Sequence, residues 1–97
     1  MDRDEVLNVL AANRAVLGQF GVSRLSLFGS VARDEATDES DVDLLVEFDR
    51  PVGLFHFFRV RHYLEDILGT ENVDLVMPDA LPGELKQGIL REAIRAA

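Results

Sequence analysis

Apolar residues recur at helical spacing through Val6, Leu7, Leu10, Leu17 and Phe20, and Gly21 follows as a stop. The spacing predicts one helix over residues 4–20, capped by Asp2 or Asp4. The period then changes. Residues 23–28 (Ser-Arg-Leu-Ser-Leu-Phe) alternate and predict a strand that Gly29 ends. Ser30 can cap a short helical turn through Val31, Ala32 and Arg33, and residues 34–40 read as an acidic loop. A second strand runs from Asp41 to Phe48. Val42, Leu44, Val46 and Phe48 point one way and Asp41, Asp43, Leu45 and Glu47 the other. After Pro51 and Gly53, residues 54–68 form a long apolar helix stopped by Gly69. Val73 to Met77 is a third strand ended by Pro78, and Pro82-Gly83 introduces a last helix over about 84–96.

The predicted order is α-β-(α)-β-α-β-α, an α/β (α+β) layer in which helices flank a small mixed sheet of three or more strands. The long helix between strands two and three is the kind of crossover that joins parallel neighbours. The direction of strand one stays open. With 97 residues, one domain over 1–97 is expected.

Charge narrows the function. Eighteen acids against 10 bases give a net charge of −8. Such a chain repels phosphate backbones, so direct nucleic-acid binding is not expected; a basic protein partner or a cation site suits it. With no cysteine, disulfides, thiolate metal sites and a Cys nucleophile are excluded. The acidic start carries no signal-peptide pattern, and no apolar run approaches the ~18 residues a membrane helix needs. A soluble cytoplasmic protein is the expectation.

Between Asp34 and Asp49 lie eight acids and no base. Asp34, Glu35, Asp38 and Glu39 fit a solvated loop. Asp41 and Asp43 fit it less well, because they open a strand whose next residues are apolar. Alternation places both on one face, about 7 Å apart along the backbone, where they can converge on a hard cation such as Mg²⁺. Asp74 sits inside the apolar third strand, where a carboxylate is costly unless it is at an edge, paired or metal-bound. If strands two and three are neighbours, three carboxylates share one face and could hold two Mg²⁺ ions, a clamp for phosphoryl or nucleotidyl transfer. At the end of strand one, Gly29 allows close approach of a phosphate. Ser30 and the following amides supply donors, and Arg33 adds a guanidinium fork.

Phe28-Gly29-Ser30-Val31-Ala32-Arg33 followed by Ser40-Asp41-Val42-Asp43-Leu44-Leu45-Val46, with Asp74 as third acid, resembles the DNA polymerase β-like nucleotidyltransferase superfamily. Length and element order resemble its minimal nucleotidyltransferase (MNT) branch over nearly the whole chain. The resemblance implies that Gly29 and Ser30, assisted by Arg33, hold the β- and γ-phosphates of ATP. It implies that Asp41, Asp43 and Asp74 bind Mg²⁺, with Asp74 helping to activate the attacking hydroxyl. It further implies a HEPN-type toxin as partner, with this chain as an antitoxin that transfers AMP to a toxin tyrosine. An antitoxin that only occludes its toxin, and a transferase acting on a small-molecule antibiotic, are the alternatives; the lack of an acceptor-binding domain disfavours the second. One position departs from the pattern: many relatives carry Gly after the Arg, where this chain has Asp34. An acid there would repel a triphosphate unless it points away.

Other residues have plainer readings. Phe55, Phe57 and Phe58 read as core, with more aromatic surface than one helix face can bury. His56 and His62 lack the i, i+4 spacing of a zinc pair and read as surface residues. Tyr63 reads as a packed helix residue, and Arg59 and Arg61 as solvent-facing. Lys86, Arg91 and Arg95 make the last helix the most basic segment, able to line a nucleotide cleft or to close the core.

Overall fold

A computed structural model describes residues 1–37 and 39–97. Helix α1 (Arg3–Ala12) starts at Asp2, whose carboxylate accepts a hydrogen bond from the Glu5 amide at 2.9 Å. The predicted single helix is broken. Asn13 turns its side chain back to the Val9 carbonyl at 2.7 Å, and the chain restarts as α2 (Arg14–Gln19). An Asn that competes for backbone partners interrupts a helix in this way. The Tyr63 hydroxyl, 2.7 Å from the Asn13 side-chain oxygen, holds the break in place.

Strand β1 (Val22–Phe28) leads directly into a single helical turn, α3 (Gly29–Ala32). Strand β2 (Val42–Phe48) pairs antiparallel with β1. Helix α4 (Leu54–Leu68) crosses over to β3 (Val73–Val76), which pairs with β2 in parallel as the crossover predicts. A 3₁₀ turn (Pro78–Ala80) precedes α5 (Gly83–Glu92). The last helix is shorter than predicted. Ala93 is extended, and Ile94–Arg95 forms a short strand, β4, antiparallel to β1. The outer edge of β1 would otherwise leave backbone groups unpaired, so a tertiary pairing overrides the helical pattern of the last residues. The sheet order among the described residues is β3-β2-β1-β4.

The two faces of the sheet differ. One carries Leu25, Leu27, Val42, Leu44, Val46, Val73 and Leu75 and is covered by Val6 and Leu10 of α1 and Val60, Leu64 and Leu68 of α4. This is the main core. The other carries Phe28 and Leu45, covered by Ile89 of α5 and, at its margins, by the partly buried Val76, Leu81 and Ala93. The thin cover leaves the rest of that face for polar groups.

Three readings of α4 are corrected. His56 is half-buried: its ring packs edge-on against Phe20 and Phe48, and its Nε2 donates to the Phe20 carbonyl. Arg61 is also half-buried, with an Nε that has no partner among the described residues. Phe57 packs on the core, but Phe55 is 89% exposed and Phe58 48%. A helix lying on a sheet buries one stripe only, and these two rings fall outside it. Arg59 and His62 are exposed and Tyr63 is packed, as predicted.

Candidate active site

The register decides which side chains meet. On the open face, β1 places Phe28 opposite Asp43, Ser26 opposite Leu45 and Arg24 opposite Glu47. On the other side of β2, Asp43 lies directly opposite Asp74 and Leu45 opposite Val76. Paired residues in a sheet share a face. Asp43 and Asp74 are therefore side by side, and Asp41, two residues before Asp43, extends the same row. Asp74 is exposed on an edge strand, which removes the cost of a carboxylate in an apolar segment.

Gly29 closes the row from the β1 side. Its φ is +76°, and a Cβ built there would collide with the Asp43 carboxylate. The strand-to-turn corner thus lies against the second acid of the Asp-x-Asp pair, in a conformation that favours glycine. Ser30 follows at the start of α3, and Arg33 ends that turn.

The acids perturb one another. Burial pushes the Asp43 carboxyl up to about 6; Asp74 and Asp41 add to the rise, and Arg33 opposes it. A cation between them would relieve this repulsion, and hard carboxylate oxygens are the donors Mg²⁺ takes. Among the described residues no three such side chains already enclose an ion.

Sequence reasoning missed one participant, Glu92 at the end of α5. Its carboxylate accepts from the Gly29 amide at 3.0 Å and from Arg33 Nη1 at 2.9 and 3.2 Å. Burial would raise the Glu92 carboxyl, but the bonds from Arg33 and Gly29 hold it below the ordinary value. No local signal marks this residue, because the contact spans 63 positions of sequence. Of the basic residues read in the last segment, Lys86 approaches Asp79 at 3.9 Å, Arg91 is exposed, and Arg95 belongs to β4.

Asp34 has a φ of +62°. The chain leaves α3 through a left-handed residue, the conformation a glycine takes most readily. Asp tolerates that region better than most side chains but less well than Gly. Asp34→Gly is expected to raise stability by about 0.5 kcal/mol, the conformational gain being partly offset by a more flexible unfolded chain. Thermal unfolding of the two chains side by side checks this; a lower melting temperature for the variant would contradict it. Glu35 and Glu39 are exposed, as a solvated loop requires, and Asp38 lies outside the described residues.

Further along the open face runs a groove of about 760 Å³, lined among others by Arg24, Glu47, Met77, Lys86 and Leu90. None of the three acids lines it. The carboxylate row therefore sits on a shallow surface beside the groove.

Residues 11–96 match the nucleotidyltransferase domain family. The chain belongs to that family. It is 39% identical over 92 residues to the protein adenylyltransferase MntA of Thermococcus cleftensis, covering 94% of this chain and 92% of that one. A solved structure assigned to a minimal nucleotidyltransferase superposes with a TM-score of 0.84 at 38% identity, over 97% of this chain and 95% of the other. The same fold, at 18% identity and a TM-score of 0.67 over 98% of this chain and 71% of the other, occurs in the complex of a tri-AMPylated Shewanella oneidensis HEPN toxin with its MNT antitoxin. This nucleotidyltransferase thus has the mixed sheet and helices of the minimal branch, and no helix among its described residues is long and apolar enough to cross a membrane.

Proposed function

We propose that this nucleotidyltransferase, acting as one domain over residues 1–97 in the cytoplasm, is the antitoxin of a HEPN-type toxin and transfers AMP from ATP to a tyrosine hydroxyl of that toxin. The observation that carries the reading is the register of Asp43 beside Asp74, against the Gly29 corner. It brings the acids and the donors of the Gly29 turn to one end of one face, which supports reading them as metal and phosphate ligands. The shallow setting favours a side chain presented by another protein over a small molecule that needs an enclosing pocket. The net charge of −8 suits a basic, RNA-cleaving partner.

In this reading Gly29 and Ser30 hold the β- and γ-phosphates, and Arg33 pairs with their charge. Asp41, Asp43 and Asp74 would hold Mg²⁺, as two ions, which would supply charge neutralisation at the α-phosphate being transferred. Asp74 accepts the proton of the attacking tyrosine hydroxyl. The oxygen forms its bond to the α-phosphorus as the bond to the β-phosphate oxygen breaks, and pyrophosphate leaves. The chain contributes positioning and charge compensation.

Intact-protein mass spectrometry of the HEPN-type partner, after incubation with this chain, ATP and Mg²⁺, tests the proposal. The expected result is a gain of one or more AMP groups, absent with Asp43→Ala. A stable complex without any mass gain, whichever nucleotide is supplied, would replace catalysis by occlusion. Neither complex nor mass gain would remove the antitoxin role.

A further inference from the structure

The carboxylate of Glu92 occupies donors that the reading above reserves for phosphate. One of its oxygens accepts from the Gly29 amide and both accept from Arg33 Nη1, all within 3.2 Å, while Arg33 Nε donates to Glu35. A carboxylate and a phosphate present similar oxygen acceptors to such donors, so the two compete for them.

The element that delivers Glu92 is lightly held. Of the ten residues of α5 only Ile89 is buried, on Phe28 and Leu45. Gly88 lies inside the helix although a Cβ there would meet nothing within 4 Å, so packing does not require the glycine. A glycine in a helix interior weakens it relative to Ala. Within α5 the open face is thus held by the Ile89 side chain and the Glu92 carboxylate, with Leu81 and Ala93 packing just outside its two ends. The Glu92 contact is an ion pair whose partners are 47% and 30% exposed, weak enough to exchange.

We propose that Glu92 is an internal latch: in the nucleotide-free chain it stands in for phosphate at Gly29 and Arg33, and the triphosphate of an incoming nucleotide displaces it and loosens α5. The inference rests on the phosphate role proposed for the Gly29-Ser30 turn and adds a cost that nucleotide binding must overcome. Glu92→Gln removes the charge while leaving an oxygen that can still accept from the Gly29 amide, so it disturbs the fold little.

Binding of the ATP analogue AMP-PNP and of inorganic triphosphate, with Mg²⁺, should be measured on the parent, Glu92→Gln and Arg33→Ala. The latch predicts that Glu92→Gln binds both ligands about three- to tenfold more tightly, the worth of a partly exposed ion pair. Arg33→Ala should bind them more weakly. Hydrogen exchange on the unaltered chain supplies a second readout: amides of residues 83–92 should exchange faster when triphosphate is bound. Equal affinity of parent and Glu92→Gln, or weaker binding by the variant, would overturn the latch while leaving the nucleotide site standing. Binding by none of the chains would overturn the phosphate role of the turn, and the latch with it.

Discussion

Asp43→Asn is expected to yield a chain that melts at a higher temperature than the parent at pH 7.5 and has lost nucleotidyl transfer by a factor of about 10³ or more. The loss follows from removing a charge between Asp41 and Asp74. The stability gain follows from the same geometry. Burial and the two neighbouring acids lift the Asp43 carboxyl to about 6 in the folded chain, against 3.8 ordinarily. The folded state therefore holds a proton that the unfolded state releases between about pH 4 and 6. A raised acid of this kind makes the fold less stable as pH climbs through that window, and the penalty is complete above it. Asn carries no charge and escapes the penalty. Since Asp43 is only partly buried, solvent screening reduces the gain to about 1–2 kcal/mol, or roughly 5–10 °C for a domain of this size. The gain should vanish near pH 4, where the parent is protonated too. Mg²⁺ should narrow the difference at pH 7.5 by stabilising the parent alone. Thermal unfolding at pH 4 and 7.5, with and without Mg²⁺, checks all three statements; a variant less stable than the parent at pH 7.5 would contradict the electrostatic account.

Gly29→Ala is expected to destabilise the fold by about 2–3 kcal/mol and to abolish transfer. About 1 kcal/mol comes from forcing a side chain into the left-handed region, where φ is +76°. The remainder comes from the collision with Asp43, whose Cγ and Cβ would lie only 3.0 and 3.2 Å from the new methyl group. To make room Asp43 must swing off Asp74, so the acids lose their alignment. Gly18→Ala is the control: the new Cβ meets nothing within 4 Å, and a helical Ala should be neutral or stabilising. Denaturant unfolding of Gly29→Ala in the parent and in an Asp43→Ala background separates the two contributions. The penalty should fall to about 1 kcal/mol once the carboxylate is gone. An unchanged penalty would place the whole effect in the backbone.

Much of this was legible along the chain. The alternation from Val42 to Phe48 sets both the strand and the face on which Asp41 and Asp43 lie, because a strand's side chains alternate whatever it pairs with. The 15-residue helix α4 matches its apolar spacing end to end. Gly29-Ser30 and the Asp-x-Asp pair carry the family resemblance through short-range spacing, which needs no tertiary information. The break at Asn13 and the strand at Ile94–Arg95 were not legible. The first is held by a partner far away in sequence, Tyr63, and the second depends on β1.

The sequence by itself determined most of the elements, the acidic face of β2 and the glycine corner, since these follow from local periodicity and from the conformations single residues adopt. Only the tertiary structure decided that β1 runs antiparallel to β2, that Asp74 falls in register with Asp43, and that Glu92 reaches the Gly29 amide. Those are contacts between separate segments. Their partners are chosen by the packing of the whole sheet and its helices, and no local pattern encodes them.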